Sequence, residues 1–139
     1  WKDFIPDHKK IISTAVKKTF KEVFNISKPN IELSIFLTSN KKIQKLNFQH
    51  RNKNKPTNIL SFPMNLITED NSKVLGDIVI ALETIISESQ KQRIPRQKYL
   101  SKITIHGLLH LLGYDHIGLE EYKEMHQVEK NIFNQIYLK

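Results

Sequence analysis

Residues 106–116 read HGLLHLLGYDH, and this stretch places three histidines at intervals that suit a single metal ion. A helix over its first part puts His106 and His110 on one face, with Cβ atoms about 5–6 Å apart. Gly113 can end that helix with a positive φ, so that the chain turns and brings His116 back toward the other two rings. The spacing therefore predicts a site of three imidazoles that leaves the fourth position of a tetrahedral ion to water.

The same stretch resembles the long zinc motif of the metzincin peptidases, H-x-x-x-H-x-x-G-x-x-H, with one difference. Those peptidases carry their general base, a glutamate, directly after the first histidine, whereas this chain has Gly107 there. We therefore predict the three-histidine metal site without the glutamate base that peptidases use. A metalloprotease-like hydrolase remains an alternative. Asp115 lies beside His116, where it could orient an imidazole or act as a base.

Composition narrows the class of protein. The chain has 139 residues, of which 39% are hydrophobic and 26% charged, so we expect one globular domain spanning residues 1–139. It has no cysteine, which excludes a thiolate metal site or a disulfide-linked partner and suits a cytoplasmic location. No apolar run approaches the roughly 18 residues of a membrane span. The first residue is Trp1 rather than methionine, which leaves open whether residues upstream of Trp1 are missing.

The excess of positive charge predicts a polyanionic partner. Lysine and arginine number 22 against 14 acidic residues, giving a formal net charge of +8. Nucleic acid is the obvious candidate, although lysines that only keep the surface soluble would give the same balance. The predicted RNA-binding cations fall in two basic stretches, with Lys53, Lys55, Arg93 and Arg96 as the chief candidates. The first stretch comprises Lys41, Lys42, Lys45, Arg51, Lys53 and Lys55, and the second comprises Lys91, Arg93, Arg96, Lys98 and Lys102. Phe48 and Tyr114 are candidates for stacking on splayed bases.

Apolar periodicity predicts alternating helices and strands. The run from Ile103 to Leu112 is apolar nearly all round, which predicts a buried central helix that carries His106 and His110. The run from Ile78 to Leu82 predicts a strand covered on both faces, paired antiparallel with the strand before it. The predicted helices are 7–24, 40–49, 83–90, 97–112 and 119–137, and the predicted strands are 31–37, 58–67 and 74–82.

Three blocks of the chain together resemble the YbeY family of bacterial rRNA maturation endoribonucleases. They are residues 46–63, 75–80 and 106–116, and the histidine block is the most specific of them. The first block departs from the family at Asn58, where aspartate is usual, and at His50, where tyrosine or phenylalanine is common. These differences leave the three histidines unaffected.

The resemblance implies an α+β fold, with a small mixed sheet of about four strands flanked by helices. The family's first strand would lie upstream of Trp1 or be reduced to residues 2–5. The resemblance also implies one Zn²⁺ ion on His106, His110 and His116, although nickel or another divalent metal could occupy the same imidazoles.

The implied activity is cleavage of single-stranded RNA during maturation of the small-subunit rRNA 3′ end, with the ribosome or its small subunit as a partner. The resemblance also implies that Arg51 matches a family arginine regarded as functionally important. A non-catalytic, ribosome-associated RNA-binding module with a structural metal is a further alternative. The sequence does not identify the general base: Asp115 is the first candidate, and Asp77, Glu120 and Glu121 are weaker ones. It also leaves open whether the nucleophile is water or an RNA 2′-hydroxyl.

Overall fold

The computed structural model describes residues 1–24, 30–69, 72–114 and 118–138. These residues form five helices and three strands in an α+β arrangement, which confirms the predicted fold class. In chain order the elements are α1 (His8–Phe24), β1 (Ile31–Thr38), α2 (Asn40–Arg51), β2 (Ile59–Ile67), β3 (Lys73–Ala81), α3 (Leu82–Gln92), α4 (Arg96–Leu111) and α5 (Leu119–Tyr137).

The sheet is mixed and has the order β1-β3-β2. β1 runs parallel to β3, and β2 runs antiparallel to it as predicted. The expectation of about four strands is wrong for the described part of the chain, which has three. Residues 2–4 form a turn rather than a strand, because the amides of Phe4 and Ile5 both donate to the carbonyl of Trp1.

β3 is covered on both faces, as its apolar run predicted. Ile78 and Ile80 are fully buried in the main core, which α1, α3 and α4 complete. Val79 and Ala81 point to the opposite face and pack against Ile43 of α2. This alternation is what a strand buried between two layers requires.

α4 contacts α1, α3, α5, β2 and β3, and ten of its sixteen residues are buried. Gly107 lets β2 approach this helix closely, because a Cβ atom at that position would lie 2.3 Å from Cδ1 of Ile59. Ser61 Oγ donates to the Gly107 carbonyl at 3.0 Å and ties the strand to the helix. Packing of β2 therefore explains the glycine that replaces the peptidase glutamate.

None of the helices within the described ranges has both the length and the apolar character needed to cross a lipid bilayer.

Candidate functional site

The rings of His106 and His110 converge on one point beside α4. Their Nε2 atoms are 3.2 Å apart and their ring planes are inclined by 79°. Two nitrogens bound to one tetrahedral ion at about 2.0–2.1 Å would lie about 3.4 Å apart. The two donors therefore fit a shared metal ion with little adjustment, which follows from their separation of one helical turn.

Glu129 of α5 holds the His106 ring in this orientation. Its Oε1 atom contacts Nδ1 of His106, so the other ring nitrogen faces His110. A carboxylate on the far nitrogen is the usual way in which a metal-binding imidazole is oriented. Glu129 is not among the residues predicted from the sequence. Met125, Glu129 and Ile132 share one face of α5, so a carboxylate on that otherwise apolar face was a usable signal.

His116 and Asp115 lie outside the described residues. Within the described ranges, no three His, Cys, Asp or Glu side chains are grouped closely enough to hold a metal ion. The third ligand and the role of Asp115 therefore stay predictions.

The histidine pair lines an open cleft of about 700 Å³. Residues from β2, α4 and α5 form its walls, together with the last residue of α2 and Asn58, which directly precedes β2. The lining residues are Arg51, Asn58, Ile59, Ser61, Pro63, Lys102, Ile103, His106, Gly107, His110, Leu111, Tyr122, Met125, His126 and Glu129.

Arg51 reaches this cleft from the C-terminus of α2, where the chain is firmly held. Asn52 follows with a φ of 57° and ends the helix by donating its amide to the carbonyls of Asn47 and Phe48. Asn47 is buried, and its side-chain amide donates to the Lys55 carbonyl at 2.9 Å. The helix end and the loop after it therefore hold Arg51 in the lining of the cleft that also contains the histidine pair.

The other predicted cations are placed differently. Lys53 and Lys55 are exposed in the loop after α2, Arg93 follows α3, and none of them lines the cleft. Arg96 also lies outside the cleft lining and donates from Nη1 to the Phe4 carbonyl at 3.3 Å. Lys102 of α4 does line the cleft. RNA binding by Lys53, Lys55, Arg93 and Arg96 stays a prediction.

The exposed aromatic surface of the cleft lies on α5. Phe48 is half exposed but lies outside the cleft lining, and Tyr114 packs against a buried cluster. The apolar spacing of α5 predicts that Tyr122 faces inward with Met125, and that prediction is wrong: the residue is 51% exposed and lines the cleft.

A polar network supports one wall of the cleft. Asn58 donates its side-chain amide to Glu88 Oε1 at 2.9 Å, and the Tyr99 hydroxyl donates to the same oxygen at 2.8 Å. Burial, followed by the nearby Glu88 carboxylate, raises the pKa of Tyr99 to about 12. An aspartate at position 58 would have no amide to donate, so the asparagine here matches its glutamate partner.

Comparison with known proteins places the chain beside one family. The family model described as Endoribonuclease YbeY matches residues 4–137. The Endoribonuclease YbeY of Bartonella bacilliformis is 43% identical over 110 residues, which cover 78% of this chain and 70% of that protein. That of Ehrlichia chaffeensis is 35% identical over 139 residues, covering 100% and 88%. A solution structure from Thermotoga maritima matches with a TM-score of 0.62 at 30% identity, covering 93% of this chain and 83% of that one.

Proposed function

Because the chain belongs to the YbeY endoribonuclease family, we propose that it is a metal-dependent hydrolase that cleaves single-stranded RNA in the cleft described above. One observation supports this location for the active site. The converging nitrogens of His106 and His110 share a single cleft with the guanidinium-bearing Arg51. Such a cleft combines a place for a metal ion with a fixed positive charge for the phosphate.

His106, His110 and the predicted ligand His116 would hold the metal, which we propose to be one Zn²⁺ ion, with other divalent metals able to bind the same donors. Glu129 would keep the His106 ring turned toward that ion. The bound ion would supply Lewis-acid chemistry, either by polarising a phosphate oxygen or by lowering the pKa of a water molecule.

Arg51 and Lys102 would bind the phosphate that is cleaved. The planar guanidinium of Arg51 can donate to two phosphate oxygens at once and favours the added negative charge of the transition state. Lys102 adds a second cation to the lining of the same cleft. The net charge of +8 favours approach of the RNA from a distance.

The biological substrate we propose is the 3′ end of small-subunit rRNA, with the ribosome or its small subunit as partner and the cytoplasm as location. The family resemblance of the three sequence blocks supports this assignment. Asp115, next to the predicted ligand His116, is the candidate for an orienting residue or a general base.

A metallopeptidase with its glutamate base at position 107 does not fit this packing. A glutamate at position 107 would have to displace Ile59, because even a Cβ atom there would lie 2.3 Å from the isoleucine side chain. Purified metal-loaded protein should therefore cut single-stranded RNA and leave duplex RNA and casein intact. Cleavage of casein with intact RNA would reverse the assignment.

Arg51→Ala tests the proposed phosphate contact in the same assay. We expect RNA cleavage to fall by about 10²-fold, the usual loss when one stabilising donor is removed. Arg51→Lys should recover part of the activity, because the charge remains while the paired donors do not. Lys9→Ala, an exposed cation on α1, should cleave at the wild-type rate. An equal loss of RNA cleavage in Arg51→Ala and Lys9→Ala would contradict a role for Arg51 in binding the phosphate.

A further inference from the structure

Two rings of α5 lie parallel at the wall of the cleft. Tyr122 and His126 are one helical turn apart, with ring centroids separated by 6.0 Å and planes that differ by 3°. Tyr122 is 51% exposed, and His126 is also exposed. The pair therefore presents flat aromatic surface to solvent inside a cleft that also contains His106 and His110.

Core packing does not account for this pair. The residues of α5 that enter the core are Met125 and Ile132, which are almost completely buried. Single exposed aromatic rings are common on protein surfaces, and Phe36 is one of them at 53% exposure, outside the cleft lining. Tyr122 and His126 differ from Phe36 because two rings share one orientation and both line the cleft.

Their neighbours indicate what the rings bind. Proteins that bind single-stranded nucleic acid combine cations along the backbone with aromatic faces on which bases stack. The same cleft supplies Arg51 and Lys102 as cations, and Tyr122 and His126 as aromatic faces.

We propose that Tyr122 and His126 form a stacking platform for one nucleobase of single-stranded RNA next to the scissile phosphate. This inference rests on the proposed function and adds a base-binding subsite to it. A base paired within a duplex has both faces covered by its neighbours, so the platform selects unpaired RNA. Stacking uses the face of a base rather than its hydrogen-bonding edge, so it selects for strandedness and not for sequence.

Binding is measured without cleavage, on metal-free protein in chelator, by fluorescence anisotropy of a labelled single-stranded oligoribonucleotide. Tyr122→Ala should weaken binding by about 5- to 150-fold, the range seen when one aromatic–base stack is removed. Tyr122→Phe keeps the ring face and should bind within about twofold of wild type. Phe36→Ala is the matched control, because it removes an equally exposed aromatic ring outside the cleft.

The decisive step repeats the measurement with oligonucleotides that lack one base at each position in turn. Wild type should lose affinity at one particular position, and Tyr122→Ala should lose nothing further there. The stacking proposal is wrong if Tyr122→Ala and Phe36→Ala weaken RNA binding equally, or if wild type loses the same affinity for every abasic oligonucleotide. Either result leaves the proposed function in place. A wild-type protein that binds no RNA, either metal-free or loaded with metal, overturns both.

Discussion

His106 and Glu129 form a side-chain contact between two helices, with Nδ1 of the imidazole against Oε1 of the carboxylate. The contact joins α4 to α5 and leaves Nε2 of His106 facing Nε2 of His110. Glu129 therefore acts through His106 as a positioning residue for the proposed metal site.

Replacing Glu129 with alanine should weaken metal binding by about 10- to 100-fold, because the His106 ring loses the group that fixes its orientation. The measurement is competition between the protein and a chelator of known affinity, with circular dichroism to show that the fold is retained. Glu124→Ala removes an exposed carboxylate from the same helix and serves as the control. Equal metal affinity in the two variants would contradict a positioning role for Glu129.

Gly107→Ala should destabilise the protein by about 1–3 kcal/mol, because the added methyl group overpacks the contact between α4 and β2. Alanine is the better helix former by about 1 kcal/mol, which opposes part of this cost. In an Ile59→Val background the clashing Cδ1 atom is absent, and the cost should shrink. Urea unfolding of wild type, Gly107→Ala, Ile59→Val and the double variant gives the coupling free energy between the two positions. A cost that is the same in both backgrounds would show that Ile59 is not what requires the glycine.

Tyr99 should make stability fall at alkaline pH. Its pKa is about 12 in the folded protein against an ordinary value of 10.0 for tyrosine, so the folded state keeps the proton more tightly. The stabilisation is complete below pH 10 and is lost as the pH rises from 10 toward 12.

Tyr99→Phe isolates this contribution from the lysines that titrate in the same range. The difference in unfolding free energy between wild type and Tyr99→Phe should narrow as the pH rises through this window. A difference that stays constant between pH 9 and 12 would show that the tyrosine pKa is not raised.

Sequence periodicity predicted the elements whose own pattern is strong. The bounds of α5 match the prediction of 119–137, because its apolar residues recur at helical spacing along the whole segment. α4 begins one residue before its predicted start and ends one residue before its predicted end. β3 was identified because its second half, residues 78–81, is apolar without interruption.

The relationships between elements could not be predicted in the same way. The contact of Glu129 with His106 depends on how α5 packs on α4, and no local pattern encodes that approach. Tyr122 fits the apolar spacing of α5, yet it is exposed because that part of the helix borders a cleft. The parallel pairing of β1 with β3 likewise joins strands that are separated by α2 and β2.

The most direct test of the account is the metal content of purified wild type and of His110→Ala, measured together with cleavage of single-stranded RNA. His50→Ala, which removes an exposed histidine outside the cleft lining, is the control. We predict about one divalent ion per chain in wild type and His50→Ala, with cleavage that chelator abolishes. His110→Ala should stay folded and lose both the ion and the cleavage. Wild-type protein that carries no stoichiometric metal, or that cuts RNA equally well in chelator, would contradict metal-dependent RNA cleavage at the His106 and His110 site.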